Sequence, residues 1–462
     1  MSVLILVAAL AFLVIMAYRG HSVILFAPLA ALLAVLLSQP QAVIPSYTGL
    51  FMAKMSQFIA SYFPVFMLGA LFGELFKVAG FARSIATVII RRLGVKYAML
   101  SIVIVAAVLT YCGVSLFVAV FAVYPLAATL FREHDIPKRL IPGTIALGAF
   151  SFTMDSFPGT PQIQNIIPTE YFHTTTTAAP LLGLLGGIFI LVIGVIFLDR
   201  RRQRAQRAGE GYGDHTRNEP SDVTATAAPG WVAVIPLLAV PVLNLFLLGK
   251  LKALYGTTYA LKLPLLADPL MIDVSKVQAT WCVEVALVVG IILTVLLGYR
   301  ALRDNFIASS RFAVEGALLA SMNTASEFGF GAVIATLAGF GVVIELLQHV
   351  GNPLVNTAIT VTTLAGLTGS ASGGLTIALG ALAPTFISNA AAADIPVEVL
   401  HRVASMASGG LDTLPHNGAV ITLLAVCGLT HKESYRDILA VTGIKTLAVF
   451  LVIGVYLALG IV

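Results

Sequence analysis

Long apolar stretches, most of them near the roughly 20 residues needed to cross a bilayer, recur along the whole chain. In the first half they predict membrane spans at residues 2–18, 23–37, 58–80 and 181–198. In the second half they predict spans at residues 231–248, 280–297, 328–347 and 438–462. Segments 41–57 and 304–326 are of mixed polarity, and we expect amphipathic arms along the membrane surface there. The pattern indicates an all-α polytopic membrane protein.

Two further apolar segments are too long for one span and lack the polar loop that would divide them into two. Residues 98–131 are interrupted at 110–115, and residues 357–387 are interrupted at 368–374. Backbone that leaves the helix at membrane depth must be enclosed by protein or line a cavity. Each segment therefore predicts a re-entrant helical hairpin whose tip lies inside the protein.

Each half also contains a polar interruption of a span, at residues 141–168 around Asp155 and at residues 397–427 around Asp412. An ionised side chain at the bilayer centre is costly, and the backbone groups freed by a helix break need polar partners there. These two segments predict broken helices of the kind that line a transport site.

The landmarks follow one order in both halves: a proline, an Asp-Ile-Pro triplet and an intramembrane aspartate. They are Pro125, Asp135 and Asp155 in the first half, and Pro384, Asp394 and Asp412 in the second. The first interval is ten residues in both, from 125 to 135 and from 384 to 394. The spacing predicts an internal repeat.

Each half has five predicted crossings, an odd number, so the two halves must be inserted with opposite topology. We therefore predict inverted repeats at residues 1–199 and 231–462, joined by a flexible cytoplasmic linker at 200–230 that carries an arginine cluster. The lysines at 250, 252, 262 and 276 then lie outside and count against the positive-inside rule.

Composition agrees with this class and excludes others. Hydrophobic residues make up 58% and charged residues 11% of 462 positions, with a mean hydropathy of +0.96, whereas soluble proteins are about 25% charged. The basic residues cluster in a few loops, so no nucleic-acid partner is indicated. Cys112, Cys282 and Cys427 lie in apolar surroundings and are expected to be buried thiols. The first segment is expected to be an uncleaved span rather than a signal peptide.

The candidate substrate site combines the hairpin tips with the helix breaks. Free amides at helix N-termini suit a carboxylate, and glycine and serine allow close backbone approach. The candidates are Gly113, Val114 and Ser115; Asp155, Ser156, Gly159, Thr160, Gln162 and Asn165; Thr368, Gly369, Ser370, Ser372 and Gly373; and Thr413, His416 and Asn417. The alternative for the tips is that small residues only let the helices pack tightly.

Ion coupling is expected at Asp155, Asp412 and His416, because these groups titrate or bind cations. The alternatives are that the aspartates cap helices and that the histidine is a hydrogen-bonding residue. Glu74 and Lys77 are expected to neutralise each other. Structural roles are expected for Glu284, Glu327 and Glu345 near span ends and for Glu315 in the second arm.

The segment FTMDSFPGTPQIQNIIPTEYF, residues 152–172, resembles the signature region of the gluconate permease (GntP) family of bacterial organic-anion symporters. The likeness extends through residues 80–85, both hairpins and residues 428–430. It implies the ion transporter superfamily fold, a homodimer with an elevator-like moving domain, and proton-coupled uptake of a small hydroxylated or simple carboxylate. Gluconate transporters carry a His/Asn/Asp-Ser-Gly stretch in the second break, where this chain has LDTLPHNG at 411–418. The resemblance therefore does not assign gluconate itself.

We expect a secondary transporter in the bacterial inner (cytoplasmic) membrane that imports a small organic anion with protons. The alternatives are sodium coupling, with Asp412 as a ligand, a channel, and a membrane-embedded enzyme. The chain has no His-Glu-x-x-His pattern and no phosphate-binding loop, which disfavours an enzyme and an ATP-driven pump. No metal and no cofactor are expected.

Overall fold

The computed structural model describes residues 2–81, 84–85, 88, 97–111, 116–160, 162–219, 229–264, 268–347 and 351–462. Helices make up most of these residues, and the all-α polytopic class is confirmed. One small element was not predicted. Strands β1 (Thr258–Leu261) and β2 (Leu270–Asp273) pair antiparallel, with Thr258 opposite Asp273.

Ten α-helices lie before the linker in the described ranges. They are α1 (Ser2–Tyr18), α2 (Val23–Ser38), α3 (Val43–Ser46), α4 (Met52–Val78), α5 (Ala98–Tyr111), α6 (Leu116–Glu133), α7 (Ile141–Ala149), α8 (Phe152–Asp155), α9 (Ile163–Phe172) and α10 (Pro180–Arg207). Short 3-10 turns cover Pro40–Ala42 and Lys138–Leu140, and a π-helical turn covers Tyr47–Phe51.

Ten more follow the linker. They are α11 (Gly230–Tyr255), α12 (Val274–Leu297), α13 (Tyr299–Leu302), α14 (Phe306–Ile334), α15 (Ala338–Leu347), α16 (Pro353–Thr368), α17 (Ala371–Ala392), α18 (Val397–Ser408), α19 (Gly418–Cys427) and α20 (His431–Leu459).

Five helical segments of the described chain are long and apolar enough to cross a membrane, or seven if two bent pairs each count as one span. The five are Pro40–Val78, Pro180–Arg207, Thr280–Leu297, Ala371–Ala392 and His431–Leu459. The predicted ten crossings also need shorter apolar helices such as α1, α2 and α19. The number of crossings therefore stays a prediction.

The two predicted amphipathic arms are helical and continue into neighbouring helices. Residues 41–57 belong to the continuous helical segment Pro40–Val78, and residues 306–326 form the first part of α14, which packs along α4 and bends by 76° into α15. The small side chains Ala313, Ala317 and Ala320 are buried on α14. Small residues let helices approach closely, so these alanines form the face of α14 that packs inside the protein.

The prediction of a flexible linker at 200–230 is wrong for the described part. Helix α10 continues to Arg207, and polar contacts hold the chain beyond it. Glu210 accepts two hydrogen bonds from Arg139, at 2.5 and 2.7 Å, and Lys138 Nζ lies 2.6 Å from Glu219. The Asn218 side-chain amide donates to the carbonyls of residues 425 and 426 at the carboxyl end of α19. These contacts hold the described part of the segment against the rest of the protein.

Helices α4 and α14 pack against each other and against α2 and α12, and they form one group of helices. The two hairpins and two broken helices form a second group with α10 and α20. Within this second group, the first helix of each hairpin packs on the first part of the broken helix of the same half: α5 on α7, and α16 on α18. The second helix of each hairpin contacts the last part of the broken helix of the other half: α6 contacts α19, and α17 contacts α9. The same local packing thus recurs in both halves.

The Asp-Ile-Pro triplets take the same turn in both halves. Asp135 has φ 51° and Asp394 has φ 57°, both left-handed. The amide of Ile136 donates to Phe131 O, and that of Ile395 donates to Ala390 O, each at 2.9 Å. This left-handed turn ends α6 and α17 in the manner of a helix C-cap. The spacing of the triplets therefore reflects a repeated local structure.

Candidate functional site

The first broken helix is interrupted twice, after α7 and again after Asp155 at the end of α8. The hydroxyls of Ser151 and Thr153 donate to the carbonyls of Leu147 and Gly148, at 2.5 and 2.7 Å. These bonds satisfy backbone groups that the end of α7 leaves without helical partners. The predicted break at Asp155 is confirmed, and local hydroxyls compensate for it.

Asp155 is 1% exposed and points from this break toward the second one. Its Oδ1 accepts a hydrogen bond from Ser156 Oγ at 2.7 Å, whereas Oδ2 has no hydrogen-bond partner among the described residues. That free oxygen lies against Gly409, where a Cβ would collide with it. The absence of a side chain at Gly409 lets the two breaks approach at this point.

The second broken helix is interrupted between α18 and α19, and its aspartate has a different partner. Asp412 forms a buried ion pair with Lys445 of α20, whose side chain is 1% exposed. Lys445 Nζ also donates to the carbonyl of Phe150 in the first break, at 3.0 Å. One ammonium group therefore joins the two breaks, and Asp412 is a charge partner rather than a free carboxylate.

Arg402 of α18 is fully buried and makes a second connection between the breaks. Its Nη1 donates to the carbonyl of Asp155 at 3.2 Å and to Asn165 Oδ1 at 3.1 Å. Its Nε and Nη2 donate to the carbonyl of Ala178 at 3.1 and 2.8 Å. Neighbouring Ser405 donates to the same Asp155 carbonyl at 2.8 Å. A guanidinium with its donors in a fixed fork suits a set of backbone carbonyls of this kind.

The second hairpin tip packs against the second break. Gly369 ends α16 with φ 67°, and Ser370 begins α17 by accepting a hydrogen bond from the amide of Gly373 at 3.1 Å. Asn417 donates to the Gly369 carbonyl and caps α19 by accepting from Ala419 N at 2.7 Å. A related contact lies on the first side, where Gln162 Nε2 donates to Thr110 O at 2.6 Å. In both halves an amide side chain from the break donates to the end of the first hairpin helix.

Glu327 was expected to play a structural role near a span end, and its position in the structure is different. It lies within α14, is 3% exposed, and its Oε2 accepts from the amide of Gly418 at 2.5 Å. Its Oε1 has no hydrogen-bond partner among the described residues and lies against Gly369 at the tip. The expected span began at residue 328, whereas α14 begins at Phe306, so Glu327 is deep in the helix.

The structure brings together most of the predicted site residues, but not all. Gly159 is exposed with φ 78°, and its amide donates to the Thr176 carbonyl. Thr368 donates to its own helix at Leu364 O, and Ser372 is only partly buried at the start of α17. The expected first-tip residues Gly113, Val114 and Ser115 lie outside the described residues.

Sequence reasoning missed His401, Arg402 and Lys445, which hold the two breaks together. The signal was present, because these residues are ionisable groups within predicted membrane segments. His401 bonds Asn165 Oδ1 at 3.2 Å and Thr174 Oγ1 at 2.6 Å, which fixes the ring between the two halves. The cost of an ionised side chain at membrane depth, which singled out the two aspartates, applies equally to these cations.

A cavity of about 260 Å³ lies away from this cluster, between α4, α6, α14 and α19, with Asn218 at its wall. Its lining is mostly apolar and includes Glu74 and Lys77, which form the expected ion pair at 2.6 Å. The buried charges beside the breaks are a stronger indication of function than the volume of this cavity. Within the described ranges, no three His, Cys, Asp or Glu side chains are grouped so as to hold a metal ion.

Comparison with known proteins identifies the family of the chain. Residues 1–266 match the model of the GntP family permeases. The chain belongs to the GntP permease family. An uncharacterized transporter of Bacillus subtilis (strain 168), YxjC, is 52% identical over 472 residues, covering 100% of both chains.

More distant similarities are also found. An uncharacterized transporter of Haemophilus influenzae is 29% identical over 202 residues, covering 40% of this chain and 47% of that protein. The crystal structure of the Alcanivorax borkumensis YdaH transporter is similar with a TM-score of 0.43 and 16% identity, covering 88% of each chain. As a GntP family member, the protein is a multi-pass membrane transporter and not an enzyme.

Proposed function

We propose that this GntP family permease is a secondary transporter that imports a small organic anion together with protons across the bacterial cytoplasmic membrane. The observation that carries the proposal is the meeting of two broken helices around the buried cations Arg402 and Lys445. Buried charged groups inside a membrane transporter mark a pathway for solute or ions.

An anion bound at membrane depth needs donors that replace its hydration shell. The start of α17 at the second tip offers backbone amides and the positive end of a helix dipole. Asn417 adds a side-chain amide at the same tip, with one N–H donated to the Gly369 carbonyl and a second N–H left over. This donor set supports a substrate with a carboxylate.

Two oppositely inserted repeats belong to the proposal. They are supported by the repeated order of hairpin, broken helix and long helix, and by the matching packing partners in the two halves. With α10 ending at Arg207 and α11 beginning at Gly230, the junction between the repeats is residues 208–229. The hairpin group would move against the α4 and α14 group in each subunit of a homodimer, in the elevator manner that the family resemblance implies.

Proton coupling is favoured over sodium coupling by the partner of Asp412. A sodium site there would need the aspartate as a ligand, and Lys445 already occupies that carboxylate. Uptake that depends on sodium at fixed pH would contradict this choice. Uptake that follows an imposed pH gradient in sodium-free buffer is the expected result.

The test uses purified full-length protein in liposomes. A thermal-shift screen with gluconate, glycerate, lactate and acetate selects carboxylates that stabilise the folded protein, because a ligand of the native state raises apparent stability. Radiolabelled uptake of the selected compounds is then measured with acid outside. Saturable accumulation above the external concentration is expected. Flux that only follows the electrochemical potential would indicate a channel instead.

A further inference from the structure

Glu327 stands apart from the other buried carboxylates of the site because no cation accompanies it among the described residues. Asp412 pairs with Lys445, and Arg402 lies beside Asp155. Two carboxylates and two cations therefore balance. Glu327 adds a third carboxylate at 3% exposure, which leaves this part of the protein with one uncompensated negative charge when Glu327 is ionised.

The surroundings of Glu327 are built closely around its carboxyl group. Gly418 donates to Oε2 at 2.5 Å, and a Cβ at either Gly369 or Gly418 would collide with the carboxyl oxygens. Oε1 faces the second tip without a hydrogen-bond partner in the described chain. The carboxyl group is thus held at one oxygen and has the other available for a proton.

His416 lies against the same glycine. It is fully buried, and its Nε2 is 3.0 Å from the position that a Cβ of Gly369 would take. Neither ring nitrogen makes a hydrogen bond of good geometry with a described residue, although the ring interacts with the Gly366 backbone. Glu327 and His416 therefore meet around Gly369, each with an unused polar atom.

The other charged groups near α14 do not compensate Glu327. On α4, Lys54 is exposed and bonds Gln57 at 3.1 Å, and Glu74 and Lys77 pair with each other. On α14 itself, Glu315 lies about three turns away. The remaining ionisable groups that interact electrostatically with this pair are Asp412, which is paired with Lys445, and His431, which interacts with His416.

We propose that Glu327 carries the coupling proton of transport, with His416 as its neighbour in the proton-binding site. The inference rests on the proposed function. A substrate carboxylate at the second tip would lie beside the Glu327 carboxylate, and two like charges there repel each other. A proton taken from the outer solution binds Oε1, the anion then binds, and both leave on the inner side. The cycle moves one proton with each substrate carboxylate.

A structural role for Glu327 as a cap of α19 is the competing explanation, and Glu327→Gln separates the two. Glutamine keeps an oxygen that can accept from Gly418 N, but it has no proton to release. Glu284 of α12 is half-buried and is not part of the site, so Glu284→Gln is the matched control.

The experiment compares wild type, Glu327→Gln and Glu284→Gln in liposomes with radiolabelled gluconate, glycerate and lactate. Under a gradient of one pH unit, one coupled proton supports about tenfold accumulation of a monocarboxylate. We expect wild type and Glu284→Gln to accumulate substrate and Glu327→Gln to lose accumulation while still exchanging labelled for unlabelled substrate. Gradient-driven accumulation by Glu327→Gln at the wild-type level would overturn the inference and leave the proposed function standing.

An infrared titration tests Glu327 without any substrate. We expect a protonated-carboxyl band in wild type and Glu284→Gln that is missing in Glu327→Gln, and an unchanged band in Glu327→Gln contradicts the assignment. If wild type transports none of the three compounds, the proposed substrate class fails while this band still decides whether Glu327 binds a proton. If Glu327→Gln does not fold, Glu327→Asp takes its place, and we expect its uptake to depend on pH differently from that of wild type. An unaltered pH dependence of uptake would contradict the assignment of the coupling proton to Glu327.

Discussion

The two helix breaks follow the same order in sequence, but their buried aspartates are stabilised by different partners. In the first break, Asp155 accepts a hydrogen bond from Ser156, and its backbone carbonyl is held by Arg402 and Ser405 from the other half. In the second break, Asp412 is paired with Lys445. The first aspartate is held mainly through its backbone, and the second through its charge.

This difference shows that the two halves are chemically unequal. Both cations, Arg402 and Lys445, and the unpaired Glu327 come from the second half. The first half contributes neutral donors and acceptors such as Asn165 and the Phe150 carbonyl. A repeated backbone arrangement therefore takes its buried cations from the second half only, whereas each half supplies one aspartate.

The largest effect is expected from Lys445→Met. The substitution leaves Asp412 buried without its cation, and breaking a buried ion pair in this way costs about 3–5 kcal/mol. We expect a markedly lower thermal midpoint in detergent. The double variant Asp412→Asn with Lys445→Met removes both charges and should recover most of the loss. A double variant as unstable as the single one would show that Lys445 acts mainly through the Phe150 carbonyl.

A comparison of Asp155→Asn with Asp412→Asn comes next. Asn at 155 keeps an oxygen for Ser156, so folding should be nearly normal. Uptake should fall by about 10- to 100-fold, because Asn removes a negative charge that is worth about 1.5–3 kcal/mol to a partner bound in the site. Asn at 412 leaves the buried Lys445 without its carboxylate partner, so it should lower thermal stability as well as uptake. Stability is read from unfolding curves and uptake from liposomes. Normal uptake by Asp155→Asn would remove that carboxylate from site formation and coupling.

Arg402→Lys measures how far the first break depends on the guanidinium. Lysine keeps the charge but cannot reach the carbonyls of Asp155 and Ala178 and the side chain of Asn165 together. We expect a loss of about 1–3 kcal/mol, measured by thermal unfolding. Met406→Leu on the same helix is a conservative control. A change no larger than that of the control would contradict a bridging role for Arg402.

The smallest effect is expected at the linker, outside the membrane. The pKa of Glu210 is held below its usual value, mainly by the hydrogen bond from Arg139, so the contact is present at neutral pH. A carboxylate with a lowered pKa stabilises above its unfolded pKa, and this contribution is lost as pH falls through the lowered value. Glu210→Gln should speed tryptic cleavage near Arg207 at neutral pH, with less than about 1 kcal/mol of stability lost.

Glu398→Gln, at an exposed glutamate of α18, serves as the control for that cleavage. In wild type, hydrogen exchange of linker amides should approach that of the variant as the pH is lowered. Exchange that stays equally slow in acid would show that other contacts, such as Lys138 with Glu219, hold the linker.

Hydropathy was enough to predict the class and both helix breaks, because those features depend on local runs of residues, while the re-entrant hairpins stay a prediction. The Asp-Ile-Pro spacing predicted an internal repeat, and the left-handed Asp135 and Asp394 give both copies the same local turn. Contacts between distant segments could not be predicted in this way. Arg402 reaches Asp155 across 247 residues, and no local pattern relates the two.

Span boundaries were the second source of error. The small and polar residues of α14 were interpreted as an interfacial arm, so Glu327 was placed at a helix end instead of inside the packed site. The contacts of Asn218 could not be predicted from the sequence either, since its partners at residues 425 and 426 are more than 200 positions away.

The Arg402 bridge also has a consequence for biosynthesis. The ribosome completes Asp155 and the first break long before it reaches Arg402, 247 residues later. Until then the nascent chain must hold this segment in the translocon or against a membrane chaperone, because the Asp155 carbonyl lacks its guanidinium partner. A truncated first half should therefore be recognised by membrane proteases as an unassembled subunit would be.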